Sequence, residues 1–94
     1  MNTNELLEII SRGEKIDVEF KRRRSSQDLN DTDLVRNVAC LANGEGGVLL
    51  VGVEDNGTIT GCAPFHKKPE ETDPRRIEAL IAHHTRPALV TTAE

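Results

Sequence analysis

The stretch GGVLLVGVEDNGT, residues 46–58, sets the fold more than any other part of this 94-residue chain. It opens with a glycine pair, continues as an unbroken apolar run, and ends in a turn sequence. A continuous run of this length is typical of a strand that is buried on both faces, as in parallel sheets. Asn56-Gly57 predicts a type I′ hairpin turn, after which Ile59 and its neighbours return as an antiparallel strand.

A strand and a helix are predicted before this run. Residues 16–21 alternate between apolar and polar, which predicts a half-buried strand whose apolar face is Ile16, Val18 and Phe20. A helix follows, with its N-cap among residues 30–32 and its end at Asn43-Gly44. A strand–helix–strand unit predicts two parallel strands joined by a crossover.

The remaining segments add helices at both ends. A first helix runs from an Asn2 cap to Gly13, and a later one begins at Asp73-Pro74 and ends at Arg86-Pro87. A last strand is predicted over 88–92. The expected fold class is therefore mixed α/β, in the order α-β-α-β-β-α-β, with helices packed on a mixed sheet. We expect one small domain over residues 1–94, as the N-terminal part of a longer protein.

Composition excludes several classes of protein. The net charge is −4, so a surface that binds polyanions must be a local patch. Aromatic residues make up 2% of the chain, which disfavours domains that stack bases on an aromatic sheet face. The first twenty residues hold five acids and no long apolar run, so we expect no signal peptide, no membrane span and a cytoplasmic location.

A run of four cations, Lys21, Arg22, Arg23 and Arg24, follows the first predicted strand. Ligands often bind beyond the carboxyl ends of the strands in open α/β sheets, and this run lies at such an end. One interpretation is a patch that contacts the phosphates of DNA or RNA. The other is a solvated strand exit, whose charges discourage pairing at the sheet edge.

Acidic residues near the same edge suggest a second chemistry. Carboxylates beside a phosphate-binding surface can hold Mg²⁺ or Mn²⁺ for phosphodiester cleavage. The alternative is that Asp55 stabilises its own turn, while Glu14 and Glu19 are surface acids. A straight strand would put Glu14 and Glu19 on opposite faces, about 16 Å apart at roughly 3.3 Å per residue. A shared metal would therefore require a bend or bulge at Glu14.

Three motifs together give the chain a family resemblance. They are EKIDVEFK at 14–21, ACLANGEGG at 39–47, and the run from Val48 to Gly61. In combination they resemble the Schlafen AlbA-type domain, which is described as DNA-binding in many prokaryotic regulators. The resemblance implies a mixed α/β domain that binds nucleic acid within a transcriptional-regulator-like protein, with no cofactor needed for binding.

The resemblance also implies an enzymatic alternative. A related domain in animal Schlafens cleaves RNA with three carboxylates, which correspond by motif position to Glu14, Glu19 and Asp55. In a nuclease these residues would be both catalytic and ligands to Mg²⁺ or Mn²⁺. A third alternative is an oligomerisation or protein-interaction domain, because an open strand edge can pair between copies of the chain.

Overall fold

Three helices and two strands make up the part of the chain that a computed structural model describes, namely residues 1–65, 73–85, 89 and 91–94. Their bounds are α1 Thr3–Arg12, β1 Val18–Lys21, α2 Asp31–Asn43, β2 Val48–Val51 and α3 Pro74–His83. The mixed α/β class is confirmed. The predicted end of the third helix at 86–87 and part of the predicted strand at 88–92 lie outside the described residues.

Each helix begins at the kind of capping residue that its sequence predicted. The side-chain oxygens of Asn2, Asn30 and Asp73 accept hydrogen bonds from backbone N–H groups of the first turns of α1, α2 and α3. These bonds satisfy N–H groups that have no partner within the helix. In α3 the cap is followed by a proline at the first helical position, where a missing N–H costs nothing.

The two strands form a parallel pair with α2 as the connection between them. Val18 lies opposite Val48, and Lys21 lies opposite Val51. Phe20, which is 1% exposed, therefore lies beside the buried Leu50, and both pack with Val53. Burying a side chain as large as phenylalanine stabilises a fold by about 1.5–3 kcal/mol.

Helices cover this small sheet. The apolar stripe of α1 packs against the cluster of Phe20, Leu50 and Val53 through Leu6, Ile9 and Ile10. Helix α2 packs on β2 and on α3. None of the helices in the described ranges has the length and hydropathy that a bilayer span requires.

The first strand starts two residues later than predicted, because the chain turns at Ile16-Asp17. Lys15 and Val18 exchange two backbone hydrogen bonds across this turn, at 3.0 and 3.1 Å. The Asp17 carbonyl accepts a further bond from the Val48 N–H at 2.8 Å. The prediction that Ile16 belongs to the apolar face was therefore wrong, since its side chain is fully exposed at the tip of the turn.

The predicted hairpin is present as a turn but adds no full strand. Gly57 has a φ of 90°, whereas Asn56 does not have positive φ, so the turn is not type I′. The Gly57 N–H donates to the Glu54 carbonyl, and the Asn56 side chain accepts from the Thr58 N–H. Within the described chain, antiparallel pairing after the turn is limited to a single bridge between Val53 and Ile59.

Candidate nucleic-acid interface

A polar cleft of about 500 Å³ lies beyond the carboxyl ends of the two strands. The strand ends are held together there, since the Gly52 N–H donates to the Lys21 carbonyl at 2.7 Å. The cleft lies between the exit of β1, the first turns of α2 and the start of the hairpin. Its lining is Phe20, Lys21, Arg22, Asp28, Leu29, Asp33, Asn37, Glu54 and Asp55.

Two of the predicted cations, Lys21 and Arg22, line this cleft. The Lys21 ammonium lies 3.3 Å from a carboxylate oxygen of Glu19, and both side chains are more than one-third exposed. Arg22 is exposed, and its side chain makes no salt bridge or hydrogen bond within the described part of the chain. Arg22 is therefore the cation of the run that is best placed to meet an external anion.

Arg23 has a different environment, since its side chain is buried and only 3% of its surface is exposed. Its guanidinium donates four hydrogen bonds of 2.6–2.9 Å, and every acceptor is a backbone carbonyl. The acceptors belong to Asp28, Leu29, Ala63 and Pro64. The Phe65 ring lies 3.7 Å from the guanidinium carbon, within cation–π distance. Arg23 thus joins two loops and is not exposed to a phosphate.

Arg24 returns to the surface and pairs with Asp28. Its backbone N–H donates to an Asp28 carboxylate oxygen at 3.0 Å, and its guanidinium lies 3.6 Å from the same oxygen. The N–H bond, followed by the charges of Arg24 and Arg22, lowers the pKa of the Asp28 carboxyl. With 57% of its side chain exposed, Arg24 still presents its charge to solvent.

Acids outnumber cations in the cleft. The lining contains four carboxylates, from Asp28, Asp33, Glu54 and Asp55, against the two charges of Lys21 and Arg22. A phosphate inside the cleft would meet like charge on most sides. An approaching nucleic acid would therefore find its favourable contacts at the two exposed arginines, Arg22 and Arg24.

The three carboxylates of the nuclease hypothesis have different neighbours in the structure. The turn at Ile16-Asp17 removes the straight-strand separation, because it brings Glu14 back alongside β1, where a carboxylate oxygen accepts the Phe20 N–H at 2.8 Å. Glu19 pairs with Lys21, and Asp55 lines the cleft. Across the described ranges, no group of three or more His, Cys, Asp or Glu residues could hold a metal ion. The assignment of Glu14, Glu19 and Asp55 as metal ligands therefore stays a prediction.

Sequence reasoning missed the contribution of α2 to the cleft. Asp33 and Asn37 are one turn apart, and the Asn37 amide donates to the Asp33 carbonyl at 2.8 Å. A usable signal was present, since a crossover helix starts at the edge where the preceding strand ends. Polar residues spaced four apart in its first turns are therefore expected to face that edge.

A comparison with protein-family models identifies one match, described as "Schlafen, AlbA_2", over residues 14–94. The matched region includes the β1–α2–β2 unit, the hairpin, α3 and all residues of the cleft. Searches of curated proteins and of solved structures gave no significant match.

Proposed function

Because the chain belongs to the Schlafen, AlbA_2 family, we propose that it binds the phosphate backbone of nucleic acid, and of DNA in particular. Family membership makes it a nucleic-acid-related domain in general. The proposed contacts are Lys21 and Arg22, which line the cleft, and the exposed Arg24, with Arg23 anchoring the backbone between them. The observation that carries this proposal is the exposed Arg22, which has no salt-bridge partner among the described residues.

Electrostatics define the kind of binding that we propose. A net charge of −4 repels a polyanion at long range, so only a local patch can attract it. Contacts to phosphates position a protein on DNA without reading its sequence. We therefore expect weak, salt-sensitive binding that differs little between DNA sequences.

The test is a titration of labelled duplex DNA with the wild-type chain and the variant Arg22→Ala. Each phosphate that is neutralised changes the slope of log K against log salt by about −0.9. Losing one contact should reduce that slope by about 0.9 and weaken binding about eightfold at 0.1 M salt. The matched control is Arg12→Ala, which removes the same charge from a side chain outside the cleft lining. Equal effects of the two substitutions would refute the proposed contact.

The same titration, repeated with single strands and with transfer RNA, distinguishes DNA from RNA as the partner. Incubation of the RNA samples with Mn²⁺ also tests the nuclease alternative, with Glu19→Gln as its control. Cleavage by the wild type that Glu19→Gln abolishes would replace binding with catalysis as the function. Light scattering on the same preparations tests the homo-oligomer alternative.

Two finer assignments, the parent protein and the location, are proposals as well. We propose that the domain serves a transcriptional-regulator-like protein and acts in the cytoplasm. Phosphate contacts of the proposed kind would hold such a protein on DNA, while its choice of sequence would come from elsewhere.

A further inference from the structure

We infer that Arg23 is a positioning residue for nucleic-acid binding: its buried guanidinium fixes the backbone from which Arg22 and Arg24 reach the solvent. This inference rests on the function proposed above, and it assigns the middle arginine of the run a role that differs from that of its neighbours. Arg22 and Arg24 contact the ligand, whereas Arg23 determines where those contacts lie.

The hydrogen bonds of Arg23 support this role because they join two loops that are distant in sequence. On one side the guanidinium binds the carbonyls of Asp28 and Leu29, at the end of the loop that begins with Arg24. On the other side it binds the carbonyls of Ala63 and Pro64. A guanidinium has five N–H donors in a planar fork, and four hydrogen bonds use this geometry.

The conformation of the loop provides a second observation. Leu29 has a φ of 48°, the one positive value outside glycine in the described chain, and its side chain is buried. A non-glycine residue keeps such a conformation only where its surroundings enforce it. The bond from Arg23 to the Leu29 carbonyl, at 2.6 Å, is a direct constraint of this kind.

The loop in turn places the exposed cations. Asp28, whose carbonyl is held by Arg23, accepts the backbone N–H of Arg24 and pairs with its guanidinium. Arg22 and Arg24 flank Arg23 directly, so anchoring the middle residue limits the directions in which both neighbours can point. Immobilising flexible arginine side chains on binding costs conformational entropy. Because Arg22 and Arg24 are already restricted, this cost should be smaller.

The substitution Arg23→Lys tests this inference, because lysine keeps the charge but cannot make the planar set of bonds. Affinity for labelled duplex DNA is measured in the wild-type background and in the Arg22→Ala, Arg24→Ala double variant, at 0.02 M and 0.1 M salt. Circular dichroism of each sample gives the folded fraction, so that affinity is expressed per folded molecule.

In the wild-type background we expect Arg23→Lys to weaken binding about five- to tenfold, with the salt slope unchanged because no charge is lost. In the double variant the same substitution should cost less than twofold, since the side chains that Arg23 positions are absent. A merely structural role would lower the folded fraction and leave the affinity per folded molecule unchanged in both backgrounds.

Equal losses of affinity in the two backgrounds, or no loss in either, would overturn the inference. If the double variant itself binds as tightly as the wild type, the proposed function fails rather than the role of Arg23 alone.

If Arg23→Lys does not fold, Phe65→Leu replaces it in both backgrounds, because it removes the ring over the guanidinium and keeps Arg23. The expected loss is then about two- to fivefold in the wild-type background, and equal losses in both backgrounds again overturn the inference.

Discussion

The substitution Gly52→Ala should destabilise the domain much more than Gly46→Ala, although both glycines have positive φ. Gly52 has a φ of 97°, and a Cβ atom there would lie 2.7 Å from both the carbonyl carbon and oxygen of Gly61. Gly46 has a φ of 84°, with nothing within 4 Å of the Cβ position. Comparing the two variants therefore separates the effect of a steric clash on stability from that of backbone strain.

The expected magnitudes follow from these two terms. Backbone strain at a positive φ costs about 1–3 kcal/mol and applies to both variants. Overpacking against rigid backbone adds about 1–3 kcal/mol, and this cost falls on Gly52→Ala alone. The smaller entropy of the unfolded chain offsets about 0.4–1 kcal/mol equally in both. The free energies of unfolding should thus differ by about 2 kcal/mol.

Urea denaturation of the two variants measures this difference directly, and thermal unfolding provides a second readout. For a domain of this size, 1 kcal/mol corresponds to about 4–8 °C, so the melting temperatures should differ by roughly 8–16 °C. Equal losses in the two variants would show that the Gly52–Gly61 approach has room to relax. The steric argument for the β2 exit would then be refuted.

Two further predictions concern the carboxylates near the cleft and β1. Glu14→Ala leaves the Phe20 N–H without its acceptor and should lower the free energy of unfolding by about 1–3 kcal/mol. Glu14→Gln keeps an acceptor oxygen and should lower it much less. Equal midpoints of urea denaturation for the two variants would contradict this prediction. The Arg24 N–H lowers the pKa of the Asp28 carboxyl in the folded protein. The ionised carboxylate therefore stabilises the fold fully at pH values above its ordinary pKa of 3.8, and this stabilisation is lost as the pH falls through the lower pKa of the folded state. The advantage of the wild type over Asp28→Asn in melting temperature should therefore shrink below about pH 4, and a constant difference from pH 7 to about pH 2 would contradict the assignment.

Local rules predicted the parts of the fold that depend on neighbouring residues. The caps at Asn2, Asn30 and Asp73 need only a side-chain oxygen and the next few N–H groups, and all three were confirmed. The parallel pair followed from a long apolar run after a crossover helix, and it brought Lys21 and Arg22 to the same cleft as Asp55.

The missed features depend on residues that are distant in sequence. The alternating pattern of residues 16–21 continues through Ile16, but the turn there is held partly by a bond from Val48 to Asp17. Arg23 looks like its neighbours in the sequence, and its burial depends on carbonyls 40 and 41 positions later. No short-range pattern encodes which of three adjacent arginines meets those carbonyls.

The buried guanidinium of Arg23 is bound by backbone carbonyls and not by carboxylates, so changes of pH and salt should affect it less than the exposed ion pairs. Backbone dipoles carry no proton that can be lost or gained between acid and neutral pH, and a buried contact is screened little by dissolved ions. The exposed pairs of Lys21 and Arg24 lie in solvent, where added salt weakens them. If the domain binds a polyanion as proposed, a rise in ionic strength should release it while the loop anchored by Arg23 keeps its conformation, so that dilution of the salt restores binding.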